Sequence, residues 1–141
     1  MPRALIAPLV LALALGAAPA RAARIVVTID GLHSGKGNVY VALFSHAAQF
    51  PDGDYADQHL KVKASLGPIT VMFDAPPGRY AIGAYHDENA NGKLDTNLIG
   101  YPIEGYALSN GIRAVISRPR FDAAAFTVAD GTTSVALHIQ Y

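Results

Sequence analysis

Apolar residues recur at every second position through most of the chain beyond residue 22, and that period places buried side chains on one face of a strand, not along a helix. In "RIVVTID" the apolar face is Ile25, Val27 and Ile29; in "NVYVALF" it is Val39, Val41 and Leu43. "HLKVKAS" alternates Leu60, Val62 and Ala64 with lysines, and "PITVMFD" offers Ile69, Val71 and Phe73. "RYAIGAYH" buries Tyr80, Ile82 and Ala84, while "TSVALHIQY" presents Val135, Leu137, Ile139 and Tyr141. A short strand around Phe126 and Val128 completes seven. Glycine and proline separate these segments, and the three glycines of "GLHSGKG" predict that the first two pair as a hairpin. The expectation is an all-β fold, a single antiparallel sandwich of about seven strands. Its core would contain Val27, Val41, Val71, Ile82, Phe126, Leu137 and Ile139.

The first 22 residues follow a different rule. A basic start at Arg3, an apolar run from Ala4 to Ala18 and the small-residue pattern Ala20-Arg21-Ala22 form the order of a secretory signal peptide, cleaved after Ala22. The run is shorter than the roughly 20 residues a membrane span needs, and nothing later is as apolar. Residues 1–22 are therefore read as the signal and 23–141 as one β-sandwich domain, located in the periplasm or secreted from a bacterium. Removing the signal from 141 residues leaves 119, enough for one core. The chain has no cysteine, so an exported fold of this kind relies on its core without disulfides. Nine basic groups then face eleven acidic ones, and the loose trio Arg113, Arg118 and Arg120 is no nucleic-acid footprint.

Two stretches break the alternation: residues 45 to 58, with a helical turn expected around Ala47 and Ala48, and the long passage from His86 to about Arg120. Long loops in compact domains are often functional. The second begins with "HDENANGKLD". Counted from Asp87 as position one, Asn89, Asn91, Gly92, Lys93 and Asp95 fall at positions three, five, six, seven and nine of an EF-hand-type calcium loop. Such a loop needs hard oxygen donors on alternate residues of a tightly curled chain. Asp87, Asn89, Asn91, the Lys93 carbonyl and Asp95 would supply them, with glycine at six for the reversal. Glu88, at an even position, should point away. Position twelve is Leu98 instead of glutamate, so the closing carboxylate would come from elsewhere, and Glu104 in "YPIEGY" is the nearest candidate. Asn91-Gly92 is also a strong turn signal, and a plain turn is the competing reading.

A catalytic reading would pair two of Asp87, Glu88, Asp95 and Glu104 as acid and base. The chain has no tryptophan to stack a sugar, and Ser109 in "LSNG" lacks a nucleophile-elbow context. His33, His46, His59, His86 and His138 are scattered, and only His86 stands beside acids. No catalytic residue is assigned.

The passage "PPGRYAIGAYHDENANGKLDTNLIGYPIEGYALSN", a later "PRFDAAAF" and the terminal tyrosine resemble the bacterial family known as domain of unknown function 2141. The resemblance implies an exported single domain with a transthyretin-like, immunoglobulin-like sandwich and no assigned biochemical role. The shared positions are His86, Asp87, Asn89, Asn91, Gly92, Asp95, Gly100, Pro102, Glu104, Gly105, Tyr106, Ser109 and Asn110. Ala107 and Leu108 stand where the family pattern has glycine and phenylalanine, and "VISRPRF" is more basic than its usual glycine-proline stretch. "PPGRY" is also similar to a turn in the sandwich domains attached to carboxypeptidases, where its role is structural. Together these readings predict an exported, non-enzymatic module that holds one Ca²⁺ weakly and meets an unidentified protein or small ligand. The alternative is a small-ligand binder or hydrolase with residues 86–110 as its pocket. A deep pocket joining His86, Glu104 and Tyr106 would favour that alternative; carboxylates curled around one point would favour calcium.

Overall fold

The computed structural model describes residues 22–113 and 117–141; apart from Ala22, the expected signal peptide lies outside them. Eight strands form: β1 (Ala23–Asp30), β2 (Asn38–Phe44), β3 (Gln58–Lys63), β4 (Ile69–Ala75), β5 (Gly78–Asp87), β6 (Tyr106–Leu108), β7 (Phe126–Val128) and β8 (Thr132–His138). The longest described α-helix is the single turn α1 (Phe121–Ala124). The chain is all-β, as the period-two pattern requires. β1 shows the cause most directly, since Ala23, Ile25, Val27 and Ile29 are buried while the residues between them face outward.

The strands divide between two sheets. One has the order β4-β1-β8; the other runs β3-β2-β5-β6, with β7 paired to the first residues of β5. Both sheets supply one hydrophobic core, in which Ile25, Val27, Val71, Phe73 and Leu137 meet Val39, Val41, Leu43, Ile82 and Ala84. Of the expected core residues, all but Phe126 are buried, and Phe126 packs against the core while partly exposed.

Three expectations need correction. β1 and β2 are not a hairpin: β1 pairs β4 and β8, whereas β2 pairs β3 and β5. The segment between them is long enough to carry the chain from one sheet to the other. The count is eight strands instead of seven, because Tyr106–Leu108 pairs Gly83–Tyr85 within the passage expected to be loop. Nor is the pairing wholly antiparallel, since β1 and β8 run parallel. Almost the whole chain separates those two strands, so no short turn dictates their direction. Around Ala47 and Ala48 there is a hydrogen-bonded turn, Gln49 N–H to the His46 carbonyl at 3.2 Å, and a 3-10 turn follows at Gly53–Tyr55.

The five-stranded sheet also buries part of its outer face. Phe44, Ala81 and Leu108 point away from the main core and pack with Phe50, Phe121 and Ala124 in a second apolar cluster. Beyond β8 the chain crosses back: Gln140 and Tyr106 exchange backbone hydrogen bonds of 2.9 and 3.0 Å, which join the ends of the two sheets.

Candidate functional site

β5 ends at Asp87, and the polar loop begins there. Asp87 is fully buried, and its carboxylate oxygens accept the backbone N–H groups of Asn91 (3.0 Å) and Gly92 (2.8 Å). Asn89 Oδ1 accepts Asn91 N–H at 2.9 Å, and Asn91 Oδ1 accepts Lys93 N–H at 2.9 Å. Each is a side chain bonding the backbone two residues on, the turn chemistry that curls a short chain. Left-handed conformations at Ala90 (φ 59) and Gly92 (φ 79) complete the curl. The amide groups of Asn89 and Asn91 converge on Asp95, at 2.6 Å and at 2.9 and 3.0 Å.

The structure thus brings Asp87, Asn89, Asn91 and Asp95 into one tight unit. Glu104 joins it through the backbone: its two oxygens accept N–H of Glu88 (3.1 Å) and of Asp95 (3.0 Å), tying the loop's two ends together. Ile103 N–H reinforces this closure by donating to the Asp95 carbonyl at 2.9 Å. Glu88 points away from the curl, as its even position requires, and bonds Ser34 and His33 (3.1 Å). Those bonds, Ser34's first, hold its carboxyl below the ordinary value. Among the described residues no three or more of His, Asp and Glu gather in a metal-holding group. The loop's side-chain oxygens come from two carboxylates and two amides.

His86 is absent from the loop interior. It is fully buried, with Nε2 at 2.7 Å from the Lys36 carbonyl and Nδ1 at 2.6 Å from the Tyr141 hydroxyl. A carbonyl only accepts, so Nε2 carries a hydrogen, and in the neutral ring Nδ1 accepts from the tyrosine. The hydroxyl oxygen in turn accepts His33 N–H at 3.3 Å, and the ring of His33 stacks on that of Tyr141 at 3.6 Å. This histidine fastens the β1–β2 connection and the C-terminal residue to β5. Ser109 is equally occupied: its hydroxyl accepts Ile82 N–H (2.9 Å) and donates to the Ala124 carbonyl (2.6 Å). Asn110 donates to the carbonyls of Ala123 and Ala125, both at 3.0 Å. These bonds make His86, Ser109 and Asn110 fasteners of the fold.

A groove of about 1090 Å³ lies over the outer face of β2, β5 and β6, beneath residues 92–102. It is lined by Tyr106 but by neither His86 nor Glu104, which are buried elsewhere. Tyr40 and Tyr85 stack within it at 5.0 Å and nearly parallel. Burial first, then Tyr40 and nearby carboxylates, pushes the Tyr85 hydroxyl up to about 12. The sequence signal for the groove was the apolar outer face of two strands, Tyr40, Ala42 and Phe44 with Ala81, Gly83 and Tyr85, which an analysis of one buried face per strand passes over.

Fold and site together define a two-sheet β protein with a self-bonded polar loop at one strand end and an apolar groove beside it. The chain belongs to the family of domain of unknown function 2141, described as an uncharacterized protein conserved in bacteria, whose profile matches residues 27–136. No curated protein and no solved structure matches it. Among the described residues no helix is long and apolar enough to cross a membrane.

Proposed function

We propose that the protein is an exported, non-catalytic β-sandwich module of the transthyretin-like kind whose Asp87–Asp95 loop takes one weakly held Ca²⁺. The observation that supports the reading is the curl itself: oxygens of Asp87, Asn89 and Asn91 accept the loop's own N–H groups, while the Asn89 and Asn91 amide nitrogens donate to Asp95, gathering four oxygen-bearing side chains in one turn. The Asp87, Asn89 and Asn91 oxygens each keep a further lone pair for an ion, and on binding the ion would replace the two amide groups that donate to Asp95. The ligands are Asp87, Asn89, Asn91, the Lys93 carbonyl and Asp95. Glu104 braces the loop ends and stands as the closing carboxylate. Only two carboxylates belong to the loop interior, and a dissociation constant of about 10⁻⁴ to 10⁻³ M, as in extracellular modules, follows. The enzyme alternative has less support, since His86 and Ser109 spend their polar atoms on the fold.

Terbium luminescence tests the site directly. Tb³⁺ replaces Ca²⁺ at oxygen ligands, and the Tyr85 hydroxyl donates to the Gly92 carbonyl of the loop at 3.2 Å, close enough to sensitise a bound ion. Tyrosine-excited terbium emission that excess calcium quenches is expected. Emission that calcium leaves unchanged, or that persists in Asp95→Asn, would leave the loop as a turn.

A further inference from the structure

We propose that the groove on the outer face of β2, β5 and β6 binds a neutral, predominantly apolar small molecule, lodged in a pit where one row of the sheet lacks bulky side chains. The pit follows from register. Tyr40, Tyr85 and Tyr106 stand opposite one another on adjacent strands and form one row. Two residues along, roughly 6.6 Å away, the next row is Ala42 and Gly83, with His59 and Leu108 at its ends. Beyond it stands Phe44. A floor of a methyl group and a bare α-carbon between walls of tyrosine and phenylalanine is a trench closed at both ends, and all these side chains line the groove.

Two features select the ligand. β2 is paired on both sides by β3 and β5, and β5 by β2 and β6, so the floor has no free strand edge for the backbone of a peptide. The floor therefore offers no ladder of free backbone groups to an extended peptide. The charged groups at the rim are balanced, with Lys93 and Arg118 against Asp52 and Asp54, which favours neither an anion nor a cation. A volume of about 1090 Å³ lies just above the roughly 300–1,000 Å³ typical of small-molecule sites. The groove borders the polar loop at Gly92 and Lys93, but the proposal does not depend on an ion there.

The neutral fluorophore N-phenyl-1-naphthylamine is the probe. Saturable binding of one equivalent, with a blue shift, is expected below about 100 µM. Gly83→Ala raises the floor by one methyl group, whose carbon would meet Leu108 at 3.4 Å and Phe44 at 3.9 Å, ordinary contacts that leave the strand in place, and Gly83→Val fills it further. Gly83→Ala should weaken binding less than Gly83→Val, which should weaken it by about tenfold or more while retaining the wild-type far-ultraviolet spectrum. Ala42→Ile, on the neighbouring strand, should do the same independently. Met72→Ser, on the exposed face of the other sheet, should bind like the wild type. Dodecanol should displace the probe better than dodecanoate. Absence of saturable binding, unchanged affinity in folded Gly83→Val and Ala42→Ile, or preferential displacement by dodecanoate or by an apolar peptide would overturn the proposal.

Discussion

At the scale of the residue, the buried polar groups most suggestive of catalysis are all hydrogen-bonded within the fold. His86, Asp87, Glu104 and Ser109 are all buried, and each has hydrogen-bond partners within the chain. An unpaired buried polar atom would cost about 1–3 kcal/mol, which is reason enough for these bonds without catalysis. Glu88 carries a pH-dependent share of the stability. Its carboxyl is held below the ordinary value of 4.5 by Ser34 and His33, so the folded chain binds its proton more weakly than the unfolded chain does. The contribution is therefore present above the unfolded value and disappears as pH falls through the lower folded one. Denaturant titrations should find the wild type more stable than Glu88→Gln at neutral pH, with the gap closing below about pH 4.5. A gap that widens towards acid would contradict the assignment.

At the scale of the element, the loop from Asp87 to Leu108 is held where three pieces of chain approach unusually closely. A Cβ on Gly37 would lie 1.8 Å from the Asp87 carbonyl oxygen, so the β1–β2 connection runs against the base of the polar loop. A Cβ on Gly105 would lie 2.5 Å from the Tyr141 ring and 2.6 Å from Ile139. Glycine at 105 lets the C-terminal segment lie flat across the end of β6. Gly105→Ala should accordingly destabilise the protein by about 1–3 kcal/mol through overpacking, measured by chemical denaturation. A loss well below that would mean that Tyr141 swings aside without cost. The strands themselves were legible in the sequence wherever four or more residues alternate, because the period alone distinguishes one face from the other. β6 was not: unlike the equally short β7, read from Phe126 and Val128, it lies inside a polar passage that hides its alternation. Strand partners were not legible either: "GLHSGKG" has the glycines of a hairpin turn, yet it crosses between sheets.

At the scale of the whole molecule, two sheets share a core, and the outer face of one carries a second apolar cluster beside the groove. The polar loop was legible because aspartate and asparagine recur on alternate residues, and in the structure these side chains bond one another and the loop's own backbone. The brace from Glu104 was legible only as a nearby carboxylate; its bonds to the amides of Glu88 and Asp95 depend on β5–β6 pairing, which the sequence does not display. On the proposed reading, calcium stiffens this corner of the molecule. With about 2 mM Ca²⁺ and a constant near 0.2 mM, linkage adds roughly 1.4 kcal/mol of stability. Thermal melting in calcium and in chelator, for the wild type and for Asp95→Asn, tests this most directly. The account predicts a rise of about 4–7 °C for the wild type and far less for the variant. Magnesium should do much less than calcium, because it demands a tighter octahedral shell. A wild-type shift below about 1 °C, or an equal shift in Asp95→Asn, would contradict it.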